Sequence, residues 1–270
     1  MRNYFQRHIA LTSEHGSWVF LLSPLLIGLF AGKNWSSISF YLFFAALSGF
    51  LVRHPITIVV KVYSGRRPKR DMPGAIFWII IYSLFGLAMI FGLVLRGFSY
   101  LLYLTIPGML VFIWHLYLIS KRSERRKIGI EVVASGVLAL AAPAGLWIGL
   151  GYLDNLGWWL WMLTWLQSAA SIVYAYARLE QRGWDHVPSL EKRLKSGRRA
   201  ILYTSFNLIF VLILSILRLL SPWLFIPYLL QWLETLWGTA KPAVGLKPTT
   251  IGFRQLTVST LFTIAFILTW

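Results

Sequence analysis

Cysteine is absent from the chain, which excludes disulfides, thiolate nucleophiles and thiolate metal sites. Charge is scarce as well: 13% of residues are Asp, Glu, Lys or Arg, about half the share in a soluble domain. No phosphate-cradling glycine-rich motif and no nucleophile elbow occur. Glu180 and Asp185 stand five apart in a loop, a spacing that does not set two carboxylates on one helical face. His15 and His54 lack a third ligand at metal-binding spacing, so neither a metal nor a cofactor is expected. Aromatic and basic residues do not interleave in a nucleic-acid pattern. A cleavable signal peptide is not expected either, because the apolar run after Arg2 and Arg7 has no small-residue cleavage site.

What is present is apolar. Hydrophobic residues make up 57% of the 270, mean hydropathy is +0.66, and the apolar residues lie in long runs. The reading is an all-α, polytopic transmembrane helical bundle forming one integral membrane domain over residues 1–270. Nine apolar segments can be marked: 17–32, 36–52, 74–95, 97–118, 129–153, 156–177, 200–217, 221–237 and 255–270. With the N-terminus in the cytoplasm and the C-terminus outside, 23 of the 26 Lys and Arg fall in internal segments. Outside there remain Lys33, Arg96 and Arg218, which is the positive-inside pattern. The net charge of +17 is therefore assigned to orientation and to anionic lipid headgroups at the cytoplasmic face, with no nucleic acid as partner.

Polar residues that a membrane must accommodate point to a site. Ser17–Gly32 offers 16 uncharged residues, short of the roughly 20 needed to span, which draws Glu14 and His15 toward the boundary. Arg53, His54 and Glu131 share that level, and Arg178 ends a stripe with Gln167, Ser171 and Tyr174 at helical spacing. Arg199, Tyr203 and Asn207 follow at steps of four, and His115 and Glu234 lie near the inner ends of their segments. Glu14, His15, Arg53, His54, Glu131 and Arg178 are thus expected to bind a ligand. His115, Gln167, Ser171, Tyr174, Arg199, Tyr203, Asn207 and Glu234 are expected to line a cytoplasm-facing cavity. The structural alternative is that these groups hydrogen-bond between helices.

The opening Glu14-His-Gly-Ser-Trp-Val-Phe-Leu-Leu-Ser-Pro-Leu-Leu-Ile-Gly28 resembles the N-terminal signature of the YwiC-like family of bacterial membrane proteins. In that family an acidic-His-Gly-small-Trp element precedes a first helix containing Pro and Gly. A more distant resemblance is to the UbiA-like intramembrane prenyltransferases, which have nine helices, an N-in orientation and long cytoplasmic loops after helices two and six. That resemblance would imply a prenyl diphosphate held through magnesium by aspartate-rich motifs in those loops. Here the first loop has no carboxylate before Asp71, and Arg178-Leu-Glu-Gln-Arg-Gly-Trp-Asp-His186 lacks paired aspartates. Metal-diphosphate chemistry is therefore not expected.

Three function classes remain, and sequence leaves open whether the protein is an enzyme. The first is a protein of the bacterial inner membrane with a polar cavity for the headgroup of an anionic lipid or isoprenoid. The second is a non-enzymatic assembly or scaffold protein, and the third a small-solute transporter. The sequence names no substrate, reaction or oligomeric state.

Overall fold

A chain segment in hydrocarbon must satisfy its backbone N–H and C=O groups internally, so long apolar runs without closed-barrel patterning fold as helices. The structure, a computed structural model, describes residues 6–11, 17–123 and 128–270. Among them there are helices and no strand. The first region holds α1 (Arg7–Ala10), α2 (Ser17–Ala31), α3 (Ser37–Tyr63), α4 (Met72–Leu95), α5 (Thr105–Ser120), α6 (Ile128–Ala139) and α7 (Ala141–Leu150). The second holds α8 (Leu156–Gln181), α9 (Leu190–Ile216), α10 (Phe225–Ala240) and α11 (Pro248–Thr269).

All nine apolar segments are helical. Among the described residues, six stretches have the length and apolarity to cross a bilayer: Ser37–Tyr63, Lys69–Leu95, Ser99–Ser120, Ile128–Leu150, Leu190–Ile216 and Pro248–Thr269. Helix α2 is apolar but shorter, and α8 is long but carries more polar residues. The Ser99–Ser120 stretch begins as a 3-10 turn, Ser99–Leu104, before α5. The apolar fragment after Val52 is helical, so α3 runs unbroken through Pro55 to Tyr63.

Local chemistry sets several of these ends. Ser36 Oγ accepts from the Ile38 amide at 3.3 Å, and Ser39 Oγ accepts from the Ser36 amide at 3.4 Å, which closes the start of α3. Pro143 has no N–H for the Ala139 carbonyl, and the helix breaks one residue later, at Leu140, into α6 and α7.

Helices α2 and α7 pack backbone to backbone where Gly28 and Gly32 face Gly145 and Gly149, two pairs each four apart. A Cβ on Gly149 would lie 2.6 Å from the Gly32 Cα, and one on Gly145 would lie 2.6 Å from the Leu29 amide nitrogen. Small residues at that spacing let helix backbones approach closely, which is a principal source of packing energy in lipid. The two regions share one apolar core, in which Leu25 and Ile27 of α2 cluster with Tyr228 of α10 and Phe262 and Phe266 of α11. Ser23 Oγ and Thr263 Oγ1, 2.5 Å apart and buried, hydrogen-bond α2 to α11.

Candidate functional site

Three helical faces in the first region carry small residues, and a cavity of about 390 Å³ lies between them. Leu42, Ala45, Ala46, Gly49, Val52 and Arg53 of α3 recur at steps of three and four and so share one face. Thr105, Gly108, Phe112 and His115 do the same on α5, as do Ala134, Val137 and Leu138 on α6. The void exists because side chains are missing. A Cβ on Gly49 would meet nothing within 4 Å, and one on Gly108 only Val137 Cγ1 at 3.5 Å.

The cavity is elongated. Its wall on α3 extends over eleven residue steps, from Leu42 to Arg53, about 16 Å of helix. Its wall on α5 extends over ten steps, from Thr105 to His115, about 15 Å. Nearly every lining side chain is apolar, and the two ionisable ones, Arg53 and His115, stand at the same end, the C-terminal limits of the cavity walls on α3 and α5. The Arg53 guanidinium lies 5.2 Å from the centre of the Phe50 ring. Gly49 and Met109 line the cavity and are exposed, so it opens sideways between α3 and α5.

The other expected site residues lie elsewhere. His54, next to Arg53, points away and donates from Nε2 to the His8 carbonyl at 3.1 Å, tying α1 to α3. Glu131 is exposed on α6 and accepts from the Tyr176 hydroxyl at 2.5 Å. Glu14 and His15 fall outside the described residues.

The polar stripe of α8 faces α10 and α11. Residues 167, 171, 174 and 178 lie eleven steps apart end to end, close to three full turns, so the stripe stays on one face, and all four side chains are buried. Tyr174 Oη donates to Glu234 Oε1 at 2.9 Å, and Arg254 grips the same carboxylate bidentately at 2.6 and 2.8 Å. The Arg254 guanidinium also stacks 3.5 Å from the Trp237 ring centre. Arg178 is 4% exposed and donates to Gln181 Oε1 at 3.0 Å and to the carbonyls of Gly238 and Lys241, the latter at 2.7 Å. Gln255 Nε2 donates to Ser171 Oγ at 2.8 Å, and Gln231 Nε2 to the Gln167 carbonyl at 3.0 Å. The space left between Gln167, Ser171, Tyr174 and Glu234 is about 10 Å³, room for no more than a water.

The α9 series behaves differently because a step of four over-rotates a helix by about 40°. Arg199 and Tyr203 are exposed, whereas Asn207, two steps on, is buried and donates from Nδ2 to the Leu166 carbonyl at 2.8 Å. Arg254 and Gln255, which the sequence reading left with the connecting segment and the start of the last apolar run, both belong to the α8–α11 network. Asp154, at the far end of the bundle, caps a turn by accepting from the Leu156 amide at 2.7 Å.

The comparisons align with the cavity. A family model described as YwiC-like protein matches residues 11–146, and every residue lining the cavity falls between 21 and 144. The chain is 24% identical over 178 residues to Uncharacterized protein YwiC of Bacillus subtilis (strain 168), covering 64% of this chain and 68% of that protein. No solved structure matches. A match over half of the chain, enclosing the helices that build the cavity, makes this protein a member of the YwiC-like family.

Proposed function

We propose that the chain is a nine-span protein of the bacterial inner membrane, N-terminus inside and C-terminus outside, whose first region binds an anionic amphiphile. The orientation rests on the 23 basic residues in alternate segments. An acyl or isoprenoid chain lies along the apolar walls of the cavity, with its headgroup against Arg53 and His115. Glu14 and His15, which precede α2 in sequence, complete the head site in this reading.

One observation carries the proposal: a cavity about 15 Å long with walls that are apolar except at one end, where an arginine and a histidine stand. Guanidinium groups suit phosphate and carboxylate because they present a planar fork of donors. Cations, not a bound metal, take up the negative charge in this arrangement. Asp71, the sole carboxylate between Arg53 and Met72, is committed to Arg67 at 3.0 Å.

Native mass spectrometry of lipid retained through gentle detergent extraction tests this. The wild type is expected to retain an anionic amphiphile, and Arg53→Gln to retain about tenfold less, the order lost with one charge-assisted hydrogen bond. Equal retention by both would refute the head site. A scaffold role is the second reading, favoured by α8–α11, whose polar side chains are committed to one another.

A further inference from the structure

The apolar cavity has a floor at the end away from Arg53 and His115. Leu42, at the other limit of the α3 wall, is buried in one apolar cluster with Leu93 from the last turn of α4 and Leu101 from the 3-10 turn before α5. Each of the three stands next to a residue pinned by a hydrogen bond. Arg96 donates to Tyr41 Oη at 3.0 Å and to the Gly92 carbonyl at 2.8 Å, and Tyr100 Oη donates to the Trp147 carbonyl at 3.2 Å. The Arg96 guanidinium also lies 4.3 Å from the centre of the Tyr41 ring. These ties hold the three leucines in place, so the depth of the cavity is a fixed quantity.

Depth and volume count the same chain. An extended alkyl chain, with C–C bonds of about 1.5 Å at near-tetrahedral angles, advances about 1.25 Å per carbon, so walls of about 15–16 Å span about 12–13 carbons. A methylene fills close to the share of one water, about 30 Å³, so the cavity of about 390 Å³ holds about 13 of them. Agreement between the two counts makes the cavity one chain wide.

We propose that the floor selects the ligand by length, so that the cavity takes a single-chain anionic amphiphile with a tail of about 12–13 carbons ending against Leu42, Leu93 and Leu101. The inference rests on the reading of this cavity as an amphiphile site. A two-chain phospholipid brings more hydrocarbon than the walls enclose. A fatty acid and a linear prenyl phosphate both offer the chemistry that fits.

The test uses the full chain in phosphatidylcholine nanodiscs, with native mass spectrometry reading the probe retained relative to its content in the bilayer. The probes are the saturated fatty acids from octanoate to stearate, and farnesyl phosphate against geranylgeranyl phosphate. Retention by the wild type is expected to peak at laurate or myristate and to fall about fivefold by stearate, the lower end of what overpacking a cavity costs. Leu101→Ala takes an isopropyl group off the floor and should move the peak longer by about three carbons. Ala45→Leu adds the same group one turn nearer Arg53 and should move the peak shorter by about three carbons. It carries the test should Leu101→Ala misfold, because it truncates nothing in the core. Farnesyl phosphate retained over geranylgeranyl phosphate, with the same response to the variants and no peak among the fatty acids, assigns the site to an isoprenoid tail. Retention flat across both series, or a peak that a folded variant leaves in place, overturns selection by length; a loss on Arg53→Gln would then still uphold the amphiphile site itself. Absence of every probe from the wild type overturns both.

Discussion

The two regions of this protein use polar residues in opposite ways. In α8–α11 they are numerous and consumed: Tyr174, Arg178, Gln231, Glu234, Arg254 and Gln255 bond across helices, and little space remains among them. Around the cavity of α2–α7 they are few, and space is what the sequence has provided through Ala45, Ala46, Gly49 and Gly108. In lipid, a buried polar group with a good partner is a fastener, worth on average well under 2 kcal/mol per hydrogen bond. A site needs volume first and then a small number of oriented charges. A count of intramembrane polar residues therefore marks the packed region, and a count of small residues on converging faces marks the region that holds the apolar cavity.

The contrast can be broken most severely at the glycine crossing. A Cβ on Gly28 would strike the Ala142 carbonyl, so Gly28→Val should separate α2 from α7 and cost about 3 kcal/mol or more, visible as loss of monodisperse protein. Next, Glu234→Gln leaves Arg254 and Tyr174 without their carboxylate. With Arg254 40% exposed, the cost should be about 2–3 kcal/mol, below that of a fully buried pair. Thermal unfolding in a fixed detergent checks it, and a negligible shift would show that the C-terminal network is not a fastener.

Asn207→Leu should cost about 0.6 kcal/mol, because it removes one bond to the Leu166 carbonyl together with an Oδ1 that has no partner among the described residues. The same unfolding assay reads that difference, and a loss as large as that of Glu234→Gln would contradict the ranking. Least of all, Gly49→Leu should leave stability unchanged or raise it by up to about 1 kcal/mol, since leucine is the better helix former and meets open space.

Much of the architecture is legible before any coordinates. Hydropathy marks the helical segments because lipid leaves the backbone no alternative, and the α8 stripe is visible because eleven residue steps nearly close three turns. The Arg199–Tyr203–Asn207 series misleads because two steps of four rotate the face by about 80°, carrying its first members to the outside. Arg178 looks like a ligand residue in sequence, yet its partners are carbonyls of Gly238 and Lys241 some sixty positions away. Pairing at that distance leaves no periodic trace. Arg53 and His115 stand out by charge, but their shared cavity depends on the placement of α3 against α5. The glycine pairs 28/32 and 145/149 carry a readable spacing, whereas their mutual contact depends on how α2 and α7 pack.

Ligand retention by Gly49→Leu tests the central claim most directly, because the substitution fills the apolar cavity while sparing the fold, Arg53 and His115. Native mass spectrometry should show an anionic amphiphile on the wild type and its loss from Gly49→Leu at equal thermal stability. An amphiphile retained equally by both proteins would contradict the assignment of the cavity as its binding site.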